Sequence, residues 1–278
     1  MNPHYEFRQS RSSGIWVPSQ KPPFGARLKP DHPLNQGLVG CWLFNEDGGN
    51  TAFDLSKNQN HGTLTGGAYW AIGEKSESVL SFDVDDYVDC GASTSSQPTT
   101  TGSVAVWFKS DLLNRNQVLV SDANYTIDRN GFTVSTYEYS FSRFELADAG
   151  GYQLYSGTRA MVANTWNFIV AVWDGTNGKL YLNAGIDTEY TQQHTPTNGV
   201  YNTRIGRDSG ADVQGTKGEI SSVSIYDRAL SVDEIRHLYS DPYSRFALPS
   251  RAKYFYVAAV SDISISISES LAFAEALD

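Results

Sequence analysis

Gly37-Leu38-Val39-Gly40-Cys41-Trp42-Leu43-Phe44-Asn45-Glu46 is the stretch on which the fold turns. It reads as an apolar strand running into a polar turn. Four further segments follow in order. The first is Asp54-Leu55-Ser56-Lys57-Asn58-Gln59-Asn60-His61-Gly62, and the second is Leu80-Ser81-Phe82-Asp83 with Asp86-Tyr87-Val88-Asp89. Far downstream come Lys179-Leu180-Tyr181-Leu182-Asn183 and Ile225-Tyr226-Asp227-Arg228-Ala229-Leu230.

Between these segments the chain alternates with period two. Val104, Val106 and Phe108 interleave with Ala105 and Trp107, a strand apolar on both faces. Trp166, Phe168, Val170 and Val172 run into Asp174-Gly175-Thr176-Asn177-Gly178, a hairpin turn signal, and Leu180 and Leu182 resume the alternation. Ile220, Val223 and Ile225 mark a late strand. Helical periodicity is absent from Leu38 to Tyr226, so the expectation from pattern is an all-β sandwich or barrel. The exception follows it. Ser231 and Glu234 fit a capping box, Ile235, Leu238 and Tyr239 share one face, and Pro242 stops the helix.

The ends differ from the middle. Residues 1–35 hold Pro18, Pro22, Pro23, Pro30 and Pro33, which forbid regular ladders, beside Phe7, Ile15, Trp16, Phe24 and Leu28. They read as an extended arm that docks on its own domain or on a neighbour. Residues 36–242 read as the β domain. Residues 243–278 form a tail whose Ser-Ile repeat puts Ile263, Ile265 and Ile267 on one strand face. Such a strand exposes an apolar row and is expected to pair, with a neighbouring subunit among the candidates. Glu269 to Ala276 reads as a short helix.

Composition sets limits on function. Net charge is -10, which argues against nucleic acid and anionic membrane as partners. No apolar run reaches the roughly 20 residues of a membrane span. The polar first fourteen residues lack an apolar h-region, so no signal peptide is expected in this chain. An extracellular or virion-surface setting would then be reached by another route, such as release of assembled particles. The two cysteines, Cys41 and Cys90, exclude a disulfide scaffold. One bridge or two buried thiols remain, the second being favoured.

In this order the five segments resemble the laminin-G-like (concanavalin-A-like) jelly-roll family. Phe44-Asn45-Glu46 matches its Phe-Asx-Glu element, Asp54-Leu55-Ser56-Lys57-Asn58 with His61-Gly62 its Asp-x-Ser-x-Asn element, and Arg228-Ala229-Leu230-Ser231 its helix-entry motif. The exit Leu238-Tyr239-Ser240-Asp241-Pro242-Tyr243 resembles phage-encoded versions of the domain. The resemblance implies an all-β, two-sheet antiparallel jelly-roll sandwich over residues 36–242 and a mostly non-catalytic, lectin-like binding module. It also implies that the loop of Glu46, Asp47, Asp54, Asn58 and Asn60 can hold a calcium ion, which takes six to eight oxygen ligands. A loop of Asx-turns uses the same residue types. After Gly218-Glu219-Ile220 the family pattern has Asp-Glu, where this chain has Ser221-Ser222, which weakens the calcium case.

Carbohydrate recognition is the positive signal, since flat rings stack on sugar faces while a few polar groups fix orientation. The candidates are Trp70, Tyr137, Tyr139, Tyr152 and Tyr155, aromatics in polar stretches; the alternative is that they pack the core or an interface. Three functions follow. The first is a glycan-binding or adhesion module within a larger assembly. The second is a structural decoration protein of a virus particle. The third is a glycoside hydrolase or lyase, for which Asp83-Val84-Asp85-Asp86 is the one compact acidic cluster and a solvated turn the competing reading. Gly-x-Ser-x-Gly, His-Glu-x-x-His and Cys-x-x-Cys are absent, and the expectation is no enzyme.

Overall fold

The computed structural model describes residues 20–248, apart from 75–76, 111, 125–129, 138–139, 198–200 and 211–213. Tyr139, the Ser-Ile repeat, the 269–276 segment and the first nineteen residues therefore lie outside the described residues.

In chain order the first strands are β1 (Arg27–Leu28), β2 (Leu38–Trp42), β3 (Thr51–Ala52), β4 (Gly62–Thr65), β5 (Tyr69–Ile72), β6 (Ser78–Phe82), β7 (Tyr87–Asp89), β8 (Gly102–Lys109) and β9 (Gln117–Ser121). Then follow β10 (Gly131–Tyr137), β11 (Phe141–Asp148), β12 (Gly151–Ala160), β13 (Asn167–Trp173), β14 (Asn177–Leu182), β15 (Gly185–Thr191), β16 (Arg204–Ile205) and β17 (Gly218–Tyr226). Helix α1 (Val232–Ser240) and β18 (Phe246–Ala247) end the described chain. One large sheet runs β12-β11-β10-β9-β16-β7-β4-β3 and the other β15-β14-β13-β8-β17-β6-β5. β17 is long enough to carry two neighbours on one flank: Gly218, Glu219 and Ile220 pair with β6, and Val223 to Tyr226 pair with β2. This is the two-sheet antiparallel jelly-roll sandwich that the resemblance implies.

Register turns the period-two pattern into two kinds of row, because residues directly opposite share a face and neighbours along a strand do not. In the first sheet Leu64, Val88, Ile205, Val120, Val134, Phe144 and Tyr155 stand side by side across seven strands. All but half-buried Leu64 are buried, and they face the other sheet as its core wall. The adjacent row is Thr63, Asp89, Arg204, Ser121, Thr133, Glu145 and Leu154, polar until its last member, on the outer face.

Around β8 and β13 the second sheet is apolar on both faces. Val104, Val106 and Phe108 of β8, with Ile169, Ala171 and Trp173 of β13, fill the space between the sheets. Ala105 of β8 and Phe168, Val170 and Val172 of β13 instead meet Leu34, Leu230, Ile235 and Leu238 in a second cluster, with half-buried Trp107 packed against it. That cluster explains the helix. Ser231 accepts from the Glu234 amide and Glu234 accepts from the Ser231 amide, which completes the capping box, and α1 lays Ile235 and Leu238 on the sheet. Tyr239 stacks on Trp107, with ring centroids 5.5 Å apart. Trp166 stands just ahead of β13 rather than within it.

The folded unit extends past 36–242 at both ends. Half-buried Lys21 donates from Nζ to the carbonyls of Phe44 (3.0 Å), Ser78 (2.5 Å) and Ser221 (2.7 Å). β1 pairs with β18, and buried Arg245 donates to Tyr226 Oη and Ser224 Oγ, each at 2.7 Å. The described parts of arm and tail thus close on their own domain. They do so because their carbonyls, amides and apolar anchors find partners there. Cys41 and Cys90 are both buried and free. Among the described residues no helix is long and apolar enough to cross a membrane, which says nothing about crossing by strands.

Candidate functional site

α1 covers only part of the second sheet's outer face. Past the helix, that face opens into a groove of about 450 Å³. Its floor is one in-register row: Tyr69 of β5 opposite Ser81 of β6, Ser81 opposite Glu219 of β17, and Glu219 opposite Lys109 of β8. All four line the groove, together with Asp83, Lys217 and Asn164. Tyr69 is 60% exposed, an aromatic ring on an edge strand with little packed on it. Gly218 also lines the groove at φ +148, and a Cβ there would run into the Lys109 carbonyl, so only glycine lets β17 enter beside β8 here.

The charges of the groove are paired within it. Lys109 Nζ lies 2.9 Å from Glu74 Oε1 and 3.3 Å from Glu219 Oε2, and 5.7 Å from the centre of the Trp166 ring. Its hydrogen bonds, to Glu74 first and then Glu219, hold its pKa above the ordinary lysine value despite partial burial. Lys217 Nζ lies 3.1 Å from Asp83 Oδ1, and that hydrogen bond holds the Asp83 carboxyl below its usual value. A flat ring, fixed ion pairs, a hydroxyl and an amide along one open trough can stack on a sugar face and meet its hydroxyls.

The aromatic residues expected from sequence to bind ligand are distributed differently. Tyr155 must be corrected: it is fully buried in the core row, lies 5.2 Å from the Phe144 ring and donates to Gln153 Oε1. Trp70 lies opposite Leu80, so it faces inward against the core and donates from Nε1 to the Gly49 carbonyl at 2.8 Å. Its neighbour Tyr69, which sequence reasoning passed over, faces the groove. Tyr137 is half-buried with the Arg143 guanidinium 4.5 Å over its ring. Tyr152 is half exposed on the outer face of β12. Tyr137 pairs with Phe141 and Tyr152 with Ala147, at opposite ends of β11, so about 20 Å of strand separates them.

In the loop expected to hold a cation, the Asp54 carboxylate is taken up by donors of the chain itself. Both oxygens of Asp54 are committed: Oδ1 accepts from the amides of Cys41 and Ser56, each at 2.8 Å, and Oδ2 accepts from Ser56 Oγ at 2.8 Å and the Asn60 amide at 2.9 Å. Glu46 Oε1 accepts from the Phe53 amide at 2.7 Å. Asn58 points its nitrogen at the carbonyls of Val39 and Ser95, and Asn60 its nitrogen at Ser95 Oγ. Both Asp54 oxygens and Glu46 Oε1 therefore serve donors of the chain, largely in the Asx-turn manner, while Glu46 Oε2 is buried without a hydrogen-bond partner. Among the described residues no group of three or more His, Cys, Asp or Glu side chains could hold a metal ion.

The acidic cluster between β6 and β7 is a turn. Asp86 is buried and accepts from the Asp83 amide, Asp83 turns to Lys217, and Asp85 turns to Arg207 at 3.8 Å. The three carboxylates thus have three separate partners.

A two-sheet jelly roll with a polar, aromatic-edged groove defines a class of lectin-like sandwiches. Residues 82–236, more than half of the chain, match the laminin-G-type family model of the concanavalin A-like lectin/glucanases superfamily, and the chain belongs to that family. No curated protein matches it. Among solved structures it is similar to domain 4 of AbnA, an extracellular arabinanase from Geobacillus stearothermophilus solved with arabinotriose, at 17% identity and TM-score 0.58 over 77% of this chain and 99% of that one. It is similar to the binding domain of Paraclostridial Mosquitocidal Protein 1, at 16% identity and TM-score 0.58 over 74% and 52% of the two chains. A third likeness is to the Botulinum neurotoxin serotype D ligand binding domain in complex with N-acetylneuraminic acid, at 14% identity and TM-score 0.57 over 74% and 51%. The chain spans about half the length of the two toxin domains. At these identities the likeness is one of fold.

Proposed function

We propose that this chain is a non-catalytic glycan-binding module and that the groove on the second sheet is its binding site. The observation that carries the reading is the position of Tyr69: an exposed ring on the same in-register row as Ser81, Glu219 and Lys109. A stacking surface beside fixed donors and acceptors is what sugar recognition requires. Bound sugars in the arabinanase domain and in the neurotoxin domain support the reading by analogy of fold alone. The superfamily also includes glucanases, so the absence of catalysis rests on the groove's own carboxylates. A glycosidase acid needs a raised pKa. Asp83 is instead held low by Lys217, and Glu219 is paired with Lys109. Such a module would act where polysaccharide is met, outside the cell or on a particle surface.

A glycan array probed with the wild-type chain and with Tyr69→Ala tests this. The wild type should retain at least one polysaccharide class and the variant should lose it. Equal binding by the variant, or none by the wild type, would remove the reading.

A further inference from the structure

We propose that the groove holds the interior of an extended, uncharged polysaccharide chain, about three sugar units at a time; this rests on the glycan reading and names its ligand class. Length comes from register. Tyr69, Ser81, Glu219 and Lys109 stand on four adjacent strands, so the floor spans three interstrand steps, about 14 Å in all. A sugar unit in an extended chain advances by about one such step, which gives each unit one strand-to-strand interval of polar floor.

An open end comes from topology. β5 is the edge of its sheet, so nothing in the sheet closes the groove beyond Tyr69. A pocket that captures a chain terminus needs a wall there. At the far end Lys109 lies between Glu219 and the Trp166 ring, so the row finishes near a second aromatic surface.

Neutrality comes from the ion pairs. Both groove lysines already have carboxylate partners, Lys109 with Glu74 and Glu219, and Lys217 with Asp83. An acidic sugar reaching either lysine would face those carboxylates at close range, in a chain of net charge -10. A hydroxyl can donate to the carboxylate and accept from the ammonium of one pair without separating them. Uncharged sugars therefore gain contacts where uronates or sulfates meet repulsion.

The test is calorimetric titration of the full-length chain with neutral glucan, xylan, galactan and arabinan oligomers of one to five units, and with oligogalacturonate as the charged probe. Tyr69→Ala serves as the site control. For a neutral series, affinity should climb several-fold with each unit up to the third and then level off. It should change less than about twofold when salt rises from about 0.1 to about 1 M, which shortens the screening length from ~10 to ~3 Å. Tyr69→Ala should weaken the trimer by about tenfold. A single sugar binding as tightly as the trimer, or a preference for galacturonate that salt abolishes, would overturn this proposal while leaving glycan binding intact. Failure of every oligomer and of the parent polysaccharides would instead sink the glycan reading itself.

Discussion

Lys109 and Glu219 face each other directly across the β8–β17 ladder, with Nζ 3.3 Å from Oε2, on the floor of an open groove. The pair is partly exposed, so its own contribution to stability is small, up to about 1 kcal/mol. Its larger effect is on what the groove accepts. Glu219→Gln should leave the melting temperature nearly unchanged, weaken neutral oligosaccharides and improve binding of oligogalacturonate. Thermal melts and titrations on the same preparation read all three.

Tyr69 and Trp70 are neighbours with opposite duties. Tyr69→Ala removes an exposed ring and should change stability by less than about 0.5 kcal/mol while costing about tenfold in glycan affinity. Trp70→Ala removes a ring packed on the core and its bond to Gly49, and should destabilise by about 2–3 kcal/mol. Urea unfolding of the two variants separates them.

Asp54 ties β2 to the 54–60 loop through four hydrogen bonds. Asp54→Ala leaves buried amides without acceptors and should destabilise by about 3 kcal/mol or more. A chelator should not move the wild-type melting temperature, because that carboxylate serves backbone amides. A calcium-dependent rise of several degrees would contradict this account of the loop.

Burial lifts the Asp122 carboxyl to about 8, partly offset by its bond from the Phe132 amide. The folded chain then keeps a proton that the unfolded chain releases near pH 4. The resulting stabilisation is full below about pH 4 and is lost as pH rises through about 8. Asp122→Asn removes the titration, so the stability difference between variant and wild type should shift in the variant's favour across that window. Denaturant midpoints measured from pH 4 to 9 show it; a difference independent of pH would contradict it.

The fold was legible because burial on a strand is a local pattern. Val104, Val106 and Phe108 announce the inter-sheet face, and Phe168, Val170 and Val172 announce the face under α1. The helix was equally plain in Ser231 and Glu234. The site was not legible, because its floor is drawn from residues 69, 81, 219 and 109, and only register places them side by side. Alternation places Trp70 and Tyr69 on opposite faces, yet the sequence does not say which face is covered. Tyr155 has polar neighbours because β12 is an edge strand, and that surrounding looks like a loop. Glu46, Asp54, Asn58 and Asn60 suit a cation or a set of Asx-turns equally by type. The Asp54 oxygens turn to donors of the chain, and composition does not carry that direction.

The most direct test of the central claim is amide chemical-shift mapping of the wild-type chain with the neutral trimer that binds best. The account predicts perturbations on four adjacent strands at Tyr69, Ser81, Glu219 and Lys109, with the outer face of the first sheet around Tyr137 and Tyr152 unmoved. Perturbations centred on that first sheet, with the groove unmoved, would contradict it.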